Sequence, residues 1–111
     1  MSKRTIARLG LAASVSIVFA TLTEALADPA AGESLAGQWC VQCHGIRPDR
    51  LSPNLAAPTF PELAAEPSIT EYSLRALLRS PHETMPQITF TSDQLDDIIA
   101  YIMSLKPKPH N

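Results

Sequence analysis

Both cysteines of the chain stand in one short run, Trp39-Cys40-Val41-Gln42-Cys43-His44-Gly45, and one of its three histidines follows the second cysteine directly. Three chemistries use thiols at this spacing. A dithiol redox pair of the thioredoxin kind needs a βαβ surrounding, and no run of alternating β-branched residues offers one. A zinc site needs four ligands. Cys40, Cys43 and a later histidine would supply three, but only His82 and His110 are available and there is no second cysteine pair. The third chemistry is covalent haem attachment. Each sulfur forms a thioether with one vinyl group of the porphyrin, and the next residue offers its imidazole to the iron. Three residues of two uncommon types in a fixed order make this the most specific signal in the chain, with Cys40 and Cys43 as anchors and His44 as an axial ligand.

The rest of the chain must position that run. It has 111 residues, 45% of them hydrophobic, and a formal charge of −2. This is enough for one small domain. Lys3, Arg4 and Arg8 are followed by an uncharged run, Leu9–Thr23, and then by Ala25-Leu26-Ala27. That is the layout of a secretory signal peptide cleaved after residue 27. The apolar run is shorter than the roughly 20 residues that a spanning helix needs, and it would serve as a membrane anchor only if it stayed uncleaved. Removing residues 1–27 takes away three basic residues and one acidic residue, so the remainder is more acidic. That balance argues against nucleic acid as a partner. A domain this small needs a staple. Two cysteines so close together close no useful loop, whereas a covalently held haem supplies an apolar body to pack around.

The segment 28–106 reads as all-α, with about three main helices joined by proline-rich loops. Asp28 as N-cap and Pro29 at the first position predict a helix over about Pro29–Cys40. Residues 46–69 hold Pro48, Pro53, Pro58, Pro61 and Pro67, too many for a long helix or a central strand. A second helix is predicted over Glu71–Arg79, capped by Thr70, with Leu74, Leu77 and Leu78 on one face and Arg75 and Arg79 pointing away. Thr91 and Gln94 form a capping box for a third, Ser92–Leu105. Its apolar stripe is Leu95, Ile98, Ile99, Ile102 and Leu105, with Asp96 and Asp97 facing water. Residues 107–111 read as a solvated tail.

With these features in place, the sequence resembles the small class I c-type cytochromes, over nearly all of residues 28–106. The matching residues are Gly32 in the first helix, Cys40-Val41-Gln42-Cys43-His44, Pro53-Asn54-Leu55, Thr84-Met85-Pro86, and Ile99-Ala100-Tyr101-Ile102 in the last helix. The resemblance implies a cytochrome c fold wrapped around one covalently bound haem. It implies that the first and last helices cross, with Gly32 letting Tyr101 approach. It also implies that Pro53 sits against His44, while nearby backbone accepts the other ring proton of that histidine. One departure is Ala36, where many members carry an aromatic residue; Leu35 or Trp39 is then expected to compensate.

The resemblance also places the second axial ligand. Met85, in a loop and followed by proline, occupies the position of the family's methionine ligand. Met103 reads as core packing, and His82 is the rival that would give a bis-histidine iron. Trp39, Arg47 and Arg50 are candidates to meet the haem propionates. Phe60, Leu63, Leu74, Leu77, Leu78, Ile88 and Phe90 are expected to line the pocket. An iron with histidine and methionine both bound has no open site for oxygen, so the expected role is a periplasmic one-electron carrier and not an enzyme. Its partners would be donor and acceptor redox proteins that dock transiently through a small interface. The alternatives are a haem subunit of a dehydrogenase or oxidase complex, and a haem-based ligand sensor.

Overall fold

The computed structural model describes residues 26–80 and 84–109. Residues 1–25, which hold most of the signal peptide expected over 1–27, lie outside the described residues, as do His82 and His110. Among those described, the secondary structure is helical with no strand: α1 Pro29–Trp39, α2 Phe60–Ala65, α3 Glu71–Arg79 and α4 Ser92–Ser104.

Each helix starts where its capping residues dictate. Asp28 accepts from the Ala30 N–H at the head of α1. Thr70 and Ser73 cap α3 reciprocally, and Thr91 and Gln94 do the same for α4. The bounds of α3 are those expected, and α1 and α4 each end one residue early, with Cys40 and Leu105 as their C-caps. α2 was not expected. Five prolines exclude a long helix, but Pro61 falls in the first turn, where its missing N–H has no partner to lose. Thr59 and Glu62 then close a capping box at 2.7–3.2 Å.

The main interface is the crossing of α1 and α4. A Cβ at Gly32 would overlap the Asp97 carbonyl and stand 2.9 Å from the Tyr101 Cβ, so only glycine allows this approach. Ala36, one turn on, has no exposed surface at all. Of the two candidates to compensate for its small size, Leu35 packs against the core, while Trp39 is 52% exposed and does not. On α4, Leu95, Ile98, Ile99 and Ile102 are buried and Leu105 packs at their edge; Met103 fills beside them, as a flexible side chain would.

Three expectations about polar residues are corrected. Asp97 does not face water: it is half-buried, and its carboxylate accepts the Asp28 N–H at 2.7 Å, tying the start of α1 to α4. Asp96 and Arg75 are also half-buried and pair with each other, joining α3 to α4. Helical periodicity puts these residues off the apolar stripe, but they lie at its margins, where a neighbouring helix is within reach.

The crossing makes a sharp contrast between two glycines of α1. Gly32→Ala should destabilise the protein by about 2–3 kcal/mol through overpacking. Gly37 has open space around it, and Gly37→Ala should stabilise by about 0.5–1 kcal/mol through helix propensity. Denaturant unfolding of both variants checks the pair. At α2, the bonds from the Thr59 backbone and side chain hold the Glu62 carboxyl below its ordinary value. The folded value is the lower one, so its contribution is present above the unfolded value and is lost as pH falls through the folded one. Glu62→Gln keeps an acceptor but does not titrate, so its stability deficit at pH 7 should shrink by pH 3.

Candidate haem site

The site begins at the end of α1. Gly32, Ala36 and Cys40 are four residues apart and all buried, so the face of α1 that meets α4 also carries the first thiol. The chain then makes a further helical turn: the Cys43 and His44 N–H groups both donate to the Cys40 carbonyl, at 3.1 and 2.9 Å. Cys40, Cys43 and His44 therefore share one compact turn. The two cysteines are free thiols. Burial pushes the Cys40 thiol up to about 11, the reverse of what a reactive redox thiol needs.

His44 is held by a backbone carbonyl. Its Nδ1 lies 2.6 Å from the Pro58 oxygen. A carbonyl only accepts, so Nδ1 carries the proton and the neutral ring presents a lone pair at Nε2. Among the described residues, Nε2 has no hydrogen-bond partner. This is the tautomer a metal-binding imidazole requires, with the other nitrogen bonded as such ligands usually are. The nearby backbone acceptor that the resemblance implies is therefore present, and it belongs to Pro58, five residues beyond Pro53. Pro53 is exposed, and the Asn54 N–H next to it donates to the Cys43 carbonyl at 3.3 Å.

The loop after the motif is fastened by polar groups. The Gly45 N–H donates to the buried Ser52 hydroxyl at 2.9 Å, and the Gly45 carbonyl accepts from the Phe60 N–H at 2.8 Å. A Cβ at Gly45 would overlap the Arg50 carbonyl. Phe60 is buried with its ring 5.6 Å from that of His44 and 6.3 Å from that of Tyr101. The Tyr101 hydroxyl donates to the Ile46 carbonyl at 2.6 Å. Burial raises the phenol's pKa, Glu33 adds to the rise, and Arg47 opposes it.

Met85 sits elsewhere. It is half-buried and borders an apolar depression with Leu77, Leu78, Ile88 and Phe90. No residue of the Cys40–His44 turn lines that depression. Leu77 is 39% exposed, although spacing puts it on the same face as Leu74, which is buried in the core. Leu63 also packs on the core and not on the depression. Arg47 pairs with Glu33 at 2.8 Å, and Arg50 lies 3.8 Å from Asp49. Pro58, Ser52 and the hydroxyl role of Tyr101 were missed from the sequence. The one local signal that could have marked the segment is Thr59 with Glu62, immediately after Pro58, which the structure shows as a capping box.

These features fit a haem held by this turn. Two unpaired thiols and a histidine with its Nε2 lone pair free form the donor set. A half-exposed thioether and apolar side chains on α3 and the loop after it offer surface for a large flat apolar group. The comparisons agree. A family model described as cytochrome c oxidase, cbb3-type, subunit III matches residues 27–102. Cytochrome c-552 of Bradyrhizobium diazoefficiens is 29% identical over 98 residues, spanning 88% of this chain and 94% of that protein. No solved structure matches the chain. The chain belongs to this family: it is a small, electron-carrying c-type cytochrome whose cofactor is covalently bound haem c.

Ser52→Ala would leave the buried Gly45 N–H without its acceptor. It should cost about 1–3 kcal/mol, read as a lower denaturation midpoint of the holoprotein with an unchanged denaturant slope.

Proposed function

We propose that this cytochrome carries a single haem and moves one electron at a time between redox proteins of the periplasm. On this reading Cys40 and Cys43 are the thioether anchors, and His44 and Met85 are the axial ligands. The observation that carries it is the state of His44: Nδ1–H is committed to Pro58, and Nε2 stands free on the turn that holds both thiols. The haem supplies the one-electron change between ferric and ferrous iron. The protein residues supply the setting. The Pro58 carbonyl fixes the imidazole plane and tautomer. Phe60 backs the ring and keeps water away from it. The apolar side chains around Met85 favour the uncharged thioether over water as the second ligand. With both axial positions filled, the oxidation state can change with little rearrangement, which suits a carrier.

Export is supported by the signal-like start of the sequence. Among the described residues no helix is long and apolar enough to cross a membrane. A second reading, a fixed subunit of a larger oxidase, draws on the family description and on one surface feature. Leu51 and Leu55 are 86% and 94% exposed on the loop after the haem motif. Purification of the native protein separates the two: a monomer supports the shuttle, and stable association with membrane subunits supports the subunit.

The ligand set is tested by spectra of the exported holoprotein and of Met85→Ala, oxidised, reduced, and reduced with carbon monoxide. The wild type should show six-coordinate bands indifferent to carbon monoxide, with a far-red sulfur-to-iron band in the oxidised state. Met85→Ala should lose that band and bind carbon monoxide. Carbon monoxide binding by the wild type would favour a sensor, and an unchanged spectrum in the variant would move the ligand to His82.

A further inference from the structure

We infer that Tyr101 is a positioning residue for the haem-ligating histidine, its hydroxyl locking the backbone that carries His44 and so holding His44 in its bond to Pro58. The inference rests on His44 being an iron ligand and goes beyond the helix crossing that Tyr101 serves.

Two short segments, 44–46 and 58–60, form the wall behind the imidazole. Two hydrogen bonds join them: His44 Nδ1–H to the Pro58 carbonyl at 2.6 Å, and Phe60 N–H to the Gly45 carbonyl at 2.8 Å. Segment 44–46 belongs to no helix or ladder, and 58–60 is held only where it enters α2 at Thr59 and Phe60. The outer tie comes from α4, 55 residues away, as the 2.6 Å bond from Tyr101 to the Ile46 carbonyl. Donor and acceptor residues are both buried, so water is a poor substitute. The Phe60 ring fills the space between Tyr101 and His44 and couples their positions by packing. On the other side, Ser52 pins Gly45, whose lack of a side chain lets the Arg50 carbonyl close in.

Remove only the hydroxyl, and the Ile46 carbonyl is buried without its donor. Segment 44–46 then shifts toward solvent, and the His44–Pro58 bond loosens. That bond places electron density on the imidazole and makes Nε2 a stronger donor. A stronger donor favours ferric iron, so loosening the bond favours the ferrous form. The rest of the side chain is a separate matter: the Tyr101 Cβ abuts the Gly32 crossing and its ring packs on Phe60, and phenylalanine preserves both. The hydroxyl's effect can therefore be removed without removing the crossing.

The test uses holoprotein of the wild type, Tyr101→Phe and Ile98→Val. Ile98 is buried in α4 but bonds to nothing in the haem loop, so it reports a purely structural loss. In Tyr101→Phe the ferrous-to-ferric ratio at fixed ambient potential should rise about tenfold, a shift of about 59 mV for one electron. Exchange of the His44 Nδ1–H with solvent, followed by NMR, should quicken by about tenfold or more. Ile98→Val should move neither. The inference is overturned if Tyr101→Phe keeps the wild-type potential and exchange rate, or if Ile98→Val shifts both as far. His44→Ala tests the underlying reading separately, since it must lose the six-coordinate ferrous bands if His44 is a ligand. With those bands lost and Tyr101→Phe unmoved, only the role of the hydroxyl falls.

Discussion

The contact between α1 and α4 at Gly32 is the constraint from which the rest of the structure follows. The Asp97 carbonyl occupies the space of a side chain at position 32, which brings the two helix backbones close together. From that point the helical repeat does the placing. Two turns along the same face of α1 lies Cys40, buried at the helix end. On α4, the residue whose Cβ abuts Gly32 is Tyr101, and its hydroxyl reaches past α1 to the backbone just after His44. One close approach thus sets both the Cys40 thiol and the far support of the His44 loop. Asp97 adds a second tie at the same crossing by accepting the N–H of Asp28.

The segment between the motif and α3 solves a different problem. Its prolines lack the donors that regular structure uses, and they also restrict the unfolded chain, so ordering the segment costs less entropy. Order comes from single polar contacts, such as Ser52 with Gly45 and Asn54 with Cys43. The position of α2 explains why Pro58 can serve His44. The first intrahelical carbonyl is that of the N-cap Thr59, which accepts from Leu63. The carbonyl of Pro58, one residue earlier, is outside the helix and has no intrahelical claim on it. A short helix that also sends Phe60 and Ala64 into the core thereby places an acceptor beside the His44 imidazole.

The sequence is most readable where structure depends on neighbours along the chain. Thr91 with Gln94, Thr70, and Asp28 with Pro29 mark helix starts that the structure keeps, and the cysteine–histidine spacing needs no tertiary information at all. α2 carries the same kind of mark in Thr59 and Glu62, but six residues are too few for an apolar period to show, and the surrounding prolines obscure it. Which proline faces His44 is not a local property. Pro53 and Pro58 both follow the motif, and the choice depends on how the intervening loop folds back. Asp97 and Leu77 fail for a related reason. Periodicity assigns a face, but only the placement of the next helix decides whether the margin of that face is covered.

The two sides of the proposed iron site are built differently, and the difference bears on how a carrier would work. The histidine side is a mesh of backbone hydrogen bonds around buried rings. The methionine side is a depression lined by side chains from the end of α3 and residues 85–90. It is tied to the core through Leu74, Leu78 and Phe90, and α3 is tied to α4 through the half-buried Arg75–Asp96 pair. Half-exposed ion pairs contribute modestly, and apart from Leu74 the apolar side chains here are only partly buried, so the α3 side has the softer packing. Local opening takes the elements with the fewest buried ties first. If His44 and Met85 are the two ligands, as proposed, an imidazole held by hydrogen bonds and a thioether on a more yielding element would confine any opening to the methionine. On the proposed assignment, thioethers at Cys40 and Cys43, with His44, would keep the haem in register while the other side recloses, an asymmetry that so small a chain could tolerate because both anchors stand on one turn.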